Sequence, residues 1–367
     1  MKKKVLFVLE AFDKGGIEKV TLDIVNNLDK EKYDITVKTI WFGGYCQSKV
    51  KKYIKVEPFF KKYRKGIMRL FIYLPKKLLY KLYIKDKYDI EIAAGDGIPS
   101  RIIAGSSNKN SKKVSWIHMD VLEKGSQLKE LRSKGKARKF YEPFDLIACV
   151  SNECRKNFIK KFGFNYKTIC VNNPIPNNHI INESNENIDI EFNSDVVNIV
   201  AVGRLAKEKG FDRLINVAKK LRDDKLKFHL YIIGDGNEKE WLKKSITENN
   251  LENYISILGF KSNPYKYMKH SDIFILPSRC EAYPTVLIEA CILKVPIVAT
   301  RCCGVSEIIG GNEWAYVVDN NEQSIYKGAK QMISNKNLIQ YYKSEMEKNI
   351  FKFDFEYTLK NFENKIL

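Results

Sequence analysis

The sequence predicts an α/β protein of two doubly wound halves, and three observations predict it. Short apolar runs of strand length alternate with helix-like stretches along the chain. That alternation stops once, at the asparagine-rich text "PNNHIINESNENIDIEFNSD" (176–195), and then restarts. The 367 residues are 44% hydrophobic, enough for two buried cores and too apolar for a disordered chain.

In chain order, "VLFVLEAF" (5–12) reads as a first buried parallel strand. The preceding lysines imitate a secretory leader, but Glu10 ends the apolar run after five residues and no small-residue cleavage site follows. "DKGGIEKVTLDIVNNL" (13–28) is a glycine turn into a helix, and "YDITVKTI" (33–40) is a second strand. "YDIEIAAG" (88–95), "KKVSWIHM" (112–119) and "FDLIACVS" (144–151) continue the sheet. After the polar text come strands at "VVNIVAVGR", "FHLYIIGDG", "ISILGF", "DIFILPS" and "PIVAT". Helices at "FDRLINVAKKLRDD", "KEWLKKSITENN" and "TVLIEACIL" separate them. The expected organisation is a first Rossmann-like domain over 1–175, a linker over 176–195 and a second domain over 196–350. An amphipathic helix over 351–367 is expected to pack back on the first domain. Two such halves imply a cleft, the default place for a ligand.

No apolar stretch reaches the roughly 18 residues of a membrane span. Eight cysteines form no C-x-x-C pair and sit mostly in apolar runs; Cys149 and Cys291 read as small core residues, which suits a reducing cytoplasm. The net charge of +20 lies wholly in the first half: residues 1–180 hold 38 basic and 18 acidic residues, and residues 181–367 hold 26 of each. Within it, residues 51–87 hold 13 basic and two acidic residues interleaved with aromatics and leucines. That pattern suits an anionic membrane surface, a nucleic acid, or a solvated basic face on core helices, and its aliphatic and aromatic content favours lipid.

The most informative stretch is "SRCEAYPTVLIEA" (278–290), where Glu281 and Glu289 stand eight apart. Pro284 suits the first position of a helix, so Glu281 falls on the loop before it and Glu289 about one and a half turns inside. A helix N-terminus attracts anions and carboxylates accept from hydroxyls, which together describe a sugar nucleotide. The glycines of "KGGIE" and "GDG" do not complete the dinucleotide pattern G-x-G-x-x-G, which disfavours NAD.

"VAVGRLAKEKGFDRLI", "YIIGDG", "LGF", "DIFILPSRCEAYPTVLIEA" and "PIVATRCCGVSEII" resemble, in order and spacing, the family 4 retaining glycosyltransferases, two-domain enzymes of the fold called GT-B. The resemblance runs from "GGIE" to about residue 320 and is strongest after residue 195. Ala282 stands where that family has glycine after the first glutamate of the pair. The resemblance implies that Arg204 and Lys209 hold the donor diphosphate and stabilise its growing charge, as a guanidinium fork and an ammonium point charge can. It implies that the amides of Thr285, Val286 and Leu287 add to the same phosphate, that Glu289 accepts from the ribose, and that Glu281 accepts from the donor sugar. Gly15, Gly16, Gly203 and Gly234 would serve turns beside the donor, with Phe260 and Lys261 against the base. His118 would contact the donor sugar and Asp120 would orient the acceptor, while Glu307 is either a further carboxylate or a helix cap.

The implied reaction moves a sugar, with retention, from a nucleotide-diphosphate sugar to an acceptor hydroxyl. UDP is the commoner donor nucleotide of such enzymes. No cofactor is implied beyond this co-substrate, and no metal, because cations replace the ion that an Asp-x-Asp motif would hold. The acceptor would be a glycan or polyprenyl-linked sugar at the inner membrane face, met by the basic segment 51–87, in surface polysaccharide assembly. Two rival readings are a sugar-nucleotide epimerase of the same architecture and a basic nucleic-acid-binding protein. The paired glutamates argue against the first, and the absence of a nucleic-acid motif argues against the second.

Overall fold

The computed structural model describes residues 1–13, 15–62, 71–122 and 134–367. It divides into two compact units, Met1–Pro174 with Glu356–Leu367, and Ile175–Phe355.

The first unit is a parallel sheet of β1 (Lys3–Leu9), β2 (Tyr33–Trp41), β3 (Lys55–Phe60), β4 (Ile90–Ala94), β5 (Lys112–Ile117), β6 (Leu146–Cys149) and β7 (Thr168–Cys170). Their order is β3-β2-β1-β4-β5-β6-β7. The last five residues of β1 and all five of β4 are buried, the continuous apolar pattern of strands covered on both faces. Two strands of this unit lie outside the sequence reading. β3 falls inside the basic segment as a half-exposed edge strand, and edges tolerate its Pro58; β7 has only three residues. Residues 63–70 of the basic segment lie outside the described residues.

The helix Phe355–Ile366 belongs to this unit. Phe362 and Ile366 are fully buried, and Phe362 packs on Trp116 of β5 at 5.1 Å. The Tyr33 hydroxyl donates to Glu363 at 2.8 Å, and Lys112 Nζ to the Ile366 carbonyl at 2.8 Å. The helix begins later than the expected 351, because a tight turn over Ile350–Phe353 precedes it, with Phe353 against Trp314 in the second unit.

The second unit is a parallel sheet of β8 (Val197–Val202), β9 (Phe228–Ile233), β10 (Ile255–Gly259), β11 (Ile273–Leu276), β12 (Ile297–Thr300) and β13 (Tyr316–Val318), ordered β10-β9-β8-β11-β12-β13. The expected linker over 176–195 is corrected here. Asn177–Ser184 is a helix packed against the helices Tyr265–Lys269 and Thr285–Ile292, inside the second unit. Its buried positions, Ile180 and Ser184, are one turn apart. Two positions among asparagines make too short a stripe to register as a period, and tertiary packing supplies what propensity lacks.

Each sheet has one point where strand order reverses, between β1 and β4 in the first and between β8 and β11 in the second. Loops leaving the carboxyl ends of such a strand pair form the natural binding crevice of an open α/β sheet.

Candidate functional site

In the second unit, the reversal brings together the loop after β8 and the loop after β11. The first runs from Gly203 through a tight turn at Lys207–Lys209 into the helix Phe211–Asp223. The second runs from Pro277 to the helix Thr285–Ile292. They touch backbone to backbone: a Cβ on Gly210, which has φ +70°, would stand 2.1 Å from the Pro277 carbonyl oxygen. Only glycine fits both the left-handed conformation and that approach.

Across this contact Lys209 Nζ donates to both oxygens of Glu281, at 2.7 and 2.8 Å. The Ser278 hydroxyl donates to the same carboxylate at 2.7 Å. Glu281 is buried and Lys209 half-buried, so the pair is shielded from solvent on the carboxylate side. The cation expected on phosphate and the carboxylate expected on sugar hydroxyls therefore neutralise each other. Arg204 behaves differently, lying exposed with Nη2 donating to Glu208 at 2.7 Å within its own turn.

Glu289 is buried on the fifth position of its helix and accepts from the Tyr265 hydroxyl at 3.4 Å. Pro284 stands at the cap, one residue before the first helical position expected for it. The Leu287 N–H donates to the Pro284 carbonyl at 3.0 Å. The amides of Thr285 and Val286 are those left in the first turn to meet an anion. Ala282 is buried without a positive φ, so its methyl needs no backbone strain where the resembled family has glycine.

Gly203 and Gly234 face one another rather than an open space: a Cβ on Gly234 would lie 1.8 Å from the Gly203 carbonyl oxygen. The missing side chain of Gly234 lets the turns after β8 and β9 pack, whereas a Cβ on Gly203 would make only ordinary contact with Phe211 at 3.5 Å. Phe260 is half-buried. Lys261 donates to Asp189 at 2.8 Å and stacks over Tyr267, so the segment after the helix Asn177–Ser184 already engages it. Glu307 is exposed on the first turn of the short helix Val305–Ile309.

In the first unit, His118 directly follows β5, its ring tilted against Trp116 at 4.3 Å. Its Nε2 is buried with no hydrogen-bond partner among the described residues, and burial drives its pKa down to about 3, so the imidazole is neutral at pH 7. Its main-chain N–H donates to Asp96 at 3.1 Å. Burial pushes the Asp96 carboxyl up to about 7 against hydrogen bonds from the main chain of His118 and Met119. Asp120 is buried, one oxygen accepting from Leu122 N–H at 3.0 Å and the other from Asn157 at 2.8 Å. Gly15 and Gly16 are exposed at the start of the first helix, and a Cβ on Gly15 would meet the Glu18 carboxylate at 2.2 Å.

Sequence reasoning missed Glu10 and Asp96. Both stand just past the carboxyl ends of β1 and β4, the pair where strand order reverses. Burial and the nearby Glu18 raise the pKa of Glu10. The signal that could have found them is an acidic residue directly ending or following a central apolar run.

Residues 183–349 match the family model described as glycosyl transferases group 1. The match covers most of the second unit. Over the whole chain the protein is similar to an uncharacterized glycosyltransferase of Haemophilus influenzae, 28% identical over 358 residues and 92% of each chain. Over 158 residues, 42% of each chain, it is 35% identical to a Campylobacter jejuni enzyme. That enzyme is the N-acetylgalactosamine-N,N'-diacetylbacillosaminyl-diphospho-undecaprenol 4-alpha-N-acetylgalactosaminyltransferase. Among solved structures, Anabaena HepE in complex with UDP and glucose superposes with a TM-score of 0.77, at 18% identity and over 99% of this chain and 98% of that one. A likeness at that identity speaks for the fold alone, and that fold is GT-B.

Proposed function

We propose that the protein transfers a sugar, with retained configuration and without a metal, from a UDP-sugar to a hydroxyl of a glycan or lipid-linked acceptor in surface polysaccharide assembly. The observation that carries the reading is the Lys209–Glu281 pair at the strand reversal of the second unit. A donor diphosphate would draw the ammonium from Glu281, leaving both carboxylate oxygens to accept from sugar hydroxyls. The cation and the sugar-binding carboxylate would thus be released together by one ligand. As the bond between the anomeric carbon and the phosphate oxygen breaks, charge grows on the diphosphate. Lys209, Arg204 and the first-turn amides of Thr285 and Val286 would stabilise it. The acceptor oxygen would bond to the anomeric carbon on the same face and pass its proton to the departing phosphate oxygen. Neutral His118 would serve as a hydrogen-bond partner rather than a charge.

The UDP of HepE and the undecaprenyl-linked acceptor of the Campylobacter enzyme support these choices of donor and acceptor class. Among the described residues no helix is long and apolar enough to cross a membrane. The helix Lys76–Tyr83 exposes Leu78 and Leu82 beside Lys77 and Lys81, a face suited to lie on an anionic inner-membrane surface.

The test is the thermal shift of the purified protein with UDP, GDP and ADP in chelator, alongside Glu289→Ala. A nucleotide at 100 times its Kd stabilises the native state by about 2.7 kcal/mol. A shift with UDP that Glu289→Ala abolishes is expected. No shift with any nucleotide would remove the reading.

A further inference from the structure

The geometry points to Arg279 as the positioning residue that sets Lys209 against Glu281. Resting on the reading of this site as a nucleotide-sugar site, the inference adds what holds its two halves in register.

β8 and β11 pair directly only at Val200–Phe274 and Ile199–Ile273. Beyond Val202 and Leu276 no sheet hydrogen bond fixes one loop against the other, yet Lys209 and Glu281 lie further out still. Arg279 spans that gap. Its main-chain N–H donates to the Glu208 carbonyl at 2.8 Å, and Nη1 donates to the Lys207 carbonyl at 2.8 Å. Nη1 and Nη2 also grip the two oxygens of Asp212, at 2.6 and 2.8 Å. All three acceptors belong to the turn that carries Lys209 or to the first turn of the helix behind it. Arg279 itself stands between Ser278 and Glu281 in the chain. The guanidinium is thus held by the cationic loop while its own backbone leads directly into the sugar-binding loop.

A second layer fixes Arg279 from behind. The Asn320 side chain donates to the Arg279 carbonyl at 2.8 Å and accepts from Arg213 Nη1 at 2.6 Å. Arg213 Nη1 also donates to the Pro277 carbonyl at 3.3 Å. The Gly210–Pro277 contact completes the arrangement, since it leaves no room for the loops to approach more closely. A planar fork that takes a carboxylate and a carbonyl together is a task lysine cannot reproduce, because an ammonium lacks the fixed geometry.

The experiment compares wild type, Arg279→Gln and Arg279→Lys by amide hydrogen exchange without ligand and by calorimetric titration with UDP. Arg279→Gln is expected to speed exchange about tenfold at the amides of 207–210 and 279–282, leaving β8 and β11 as protected as before. UDP affinity should fall by about tenfold, and Arg279→Lys should fall between the two. Unchanged exchange at those amides would overturn the inference. So would wild-type UDP affinity despite faster exchange, or exchange that quickens across the whole second unit in step with lost stability. If the wild type binds no UDP, the proposed function fails while the exchange result still judges Arg279. Should Arg279→Gln not fold, Arg279→Lys carries the same two readouts.

Discussion

The two units share one topology and use it oppositely. Both are parallel sheets that reverse strand order once. In the second, the reversal gathers charges that are already paired: Lys209 with Glu281, Arg204 with Glu208, Arg279 with Asp212. In the first, it gathers groups whose charged forms burial disfavours: His118 with a pKa of about 3, Asp96 with one of about 7, and Glu10 raised. The fold supplies the crevice, and the residues placed there decide whether it suits an anion or a neutral polar ligand.

The largest effect should separate Lys209 from Arg204. Lys209→Ala is expected to lower kcat for sugar transfer about 1,000-fold, the scale of losing one charge-stabilising donor, about 4 kcal/mol. Arg204→Ala, whose side chain is exposed and held by Glu208, should cost about tenfold. Steady-state kinetics on a transferred sugar would decide, and equal losses would break the contrast between the half-buried and the exposed cation.

Next comes the pH dependence of the first unit. A carboxyl whose folded pKa lies above its unfolded value binds its proton more tightly when folded, so its contribution to stability falls as pH rises from about 4 to about 7. Asp96→Asn should remove that loss, gaining on the order of 3 kcal/mol at pH 8 relative to pH 4. His118 works the other way: with its folded pKa depressed, stability falls as pH drops from about 6.5 towards 3. Urea melts of Asp96→Asn at pH 4 and pH 8 test this. Equal differences from wild type at both would show that the carboxyl is not buried as described.

The charge asymmetry gives a smaller effect. Lys77→Ala with Lys81→Ala should weaken binding to anionic vesicles by about 2 kcal/mol, roughly thirtyfold, since each lysine near such a surface contributes about 1 kcal/mol. Co-sedimentation with and without anionic lipid would measure it. Binding that ignores both lysines and lipid charge would place the +20 excess elsewhere in function.

The smallest effect belongs to Asp212. Burial opposes its ionisation, but hydrogen bonds from Arg279 and Lys207 outweigh that and hold its pKa at about 2. Its stabilisation is present above about pH 4 and is lost as pH falls towards 2. Asp212→Asn should therefore cost about 1 kcal/mol at pH 7, allowing for solvent screening, and nothing below pH 2. A cost that persists at pH 2 would assign the effect to packing rather than charge.

Much of this was legible in the text of the chain. Strand-length apolar runs and their alternation mark the two sheets, and the spacing of Glu281 and Glu289 marks the loop and helix that follow β11 at the strand reversal. The losses are specific. β3 is hidden because an edge strand need not be continuously apolar and its text is half lysine. The helix Asn177–Ser184 is hidden because its buried stripe has only Ile180 and Ser184. The partners of Asp120, which are Asn157 and Leu122, and that of the Leu287 N–H, which is Pro284, are not marked in the sequence.

By itself, the sequence determined the α/β class, the two cores, the charge excess of the first half and the residue types of the proposed donor site. Those follow from local pattern and composition, which short-range physics reads directly. Only the tertiary structure decided that Lys209 reaches Glu281 across 72 positions, that Arg279 grips Asp212 across 67, and that Asp96 meets the main chain of His118 across 22. A parallel sheet joins strands through long crossovers, so groups at its reversal points lie far apart in the chain. Which of them meet is set by strand order and register, and neither is written in any short window of residues.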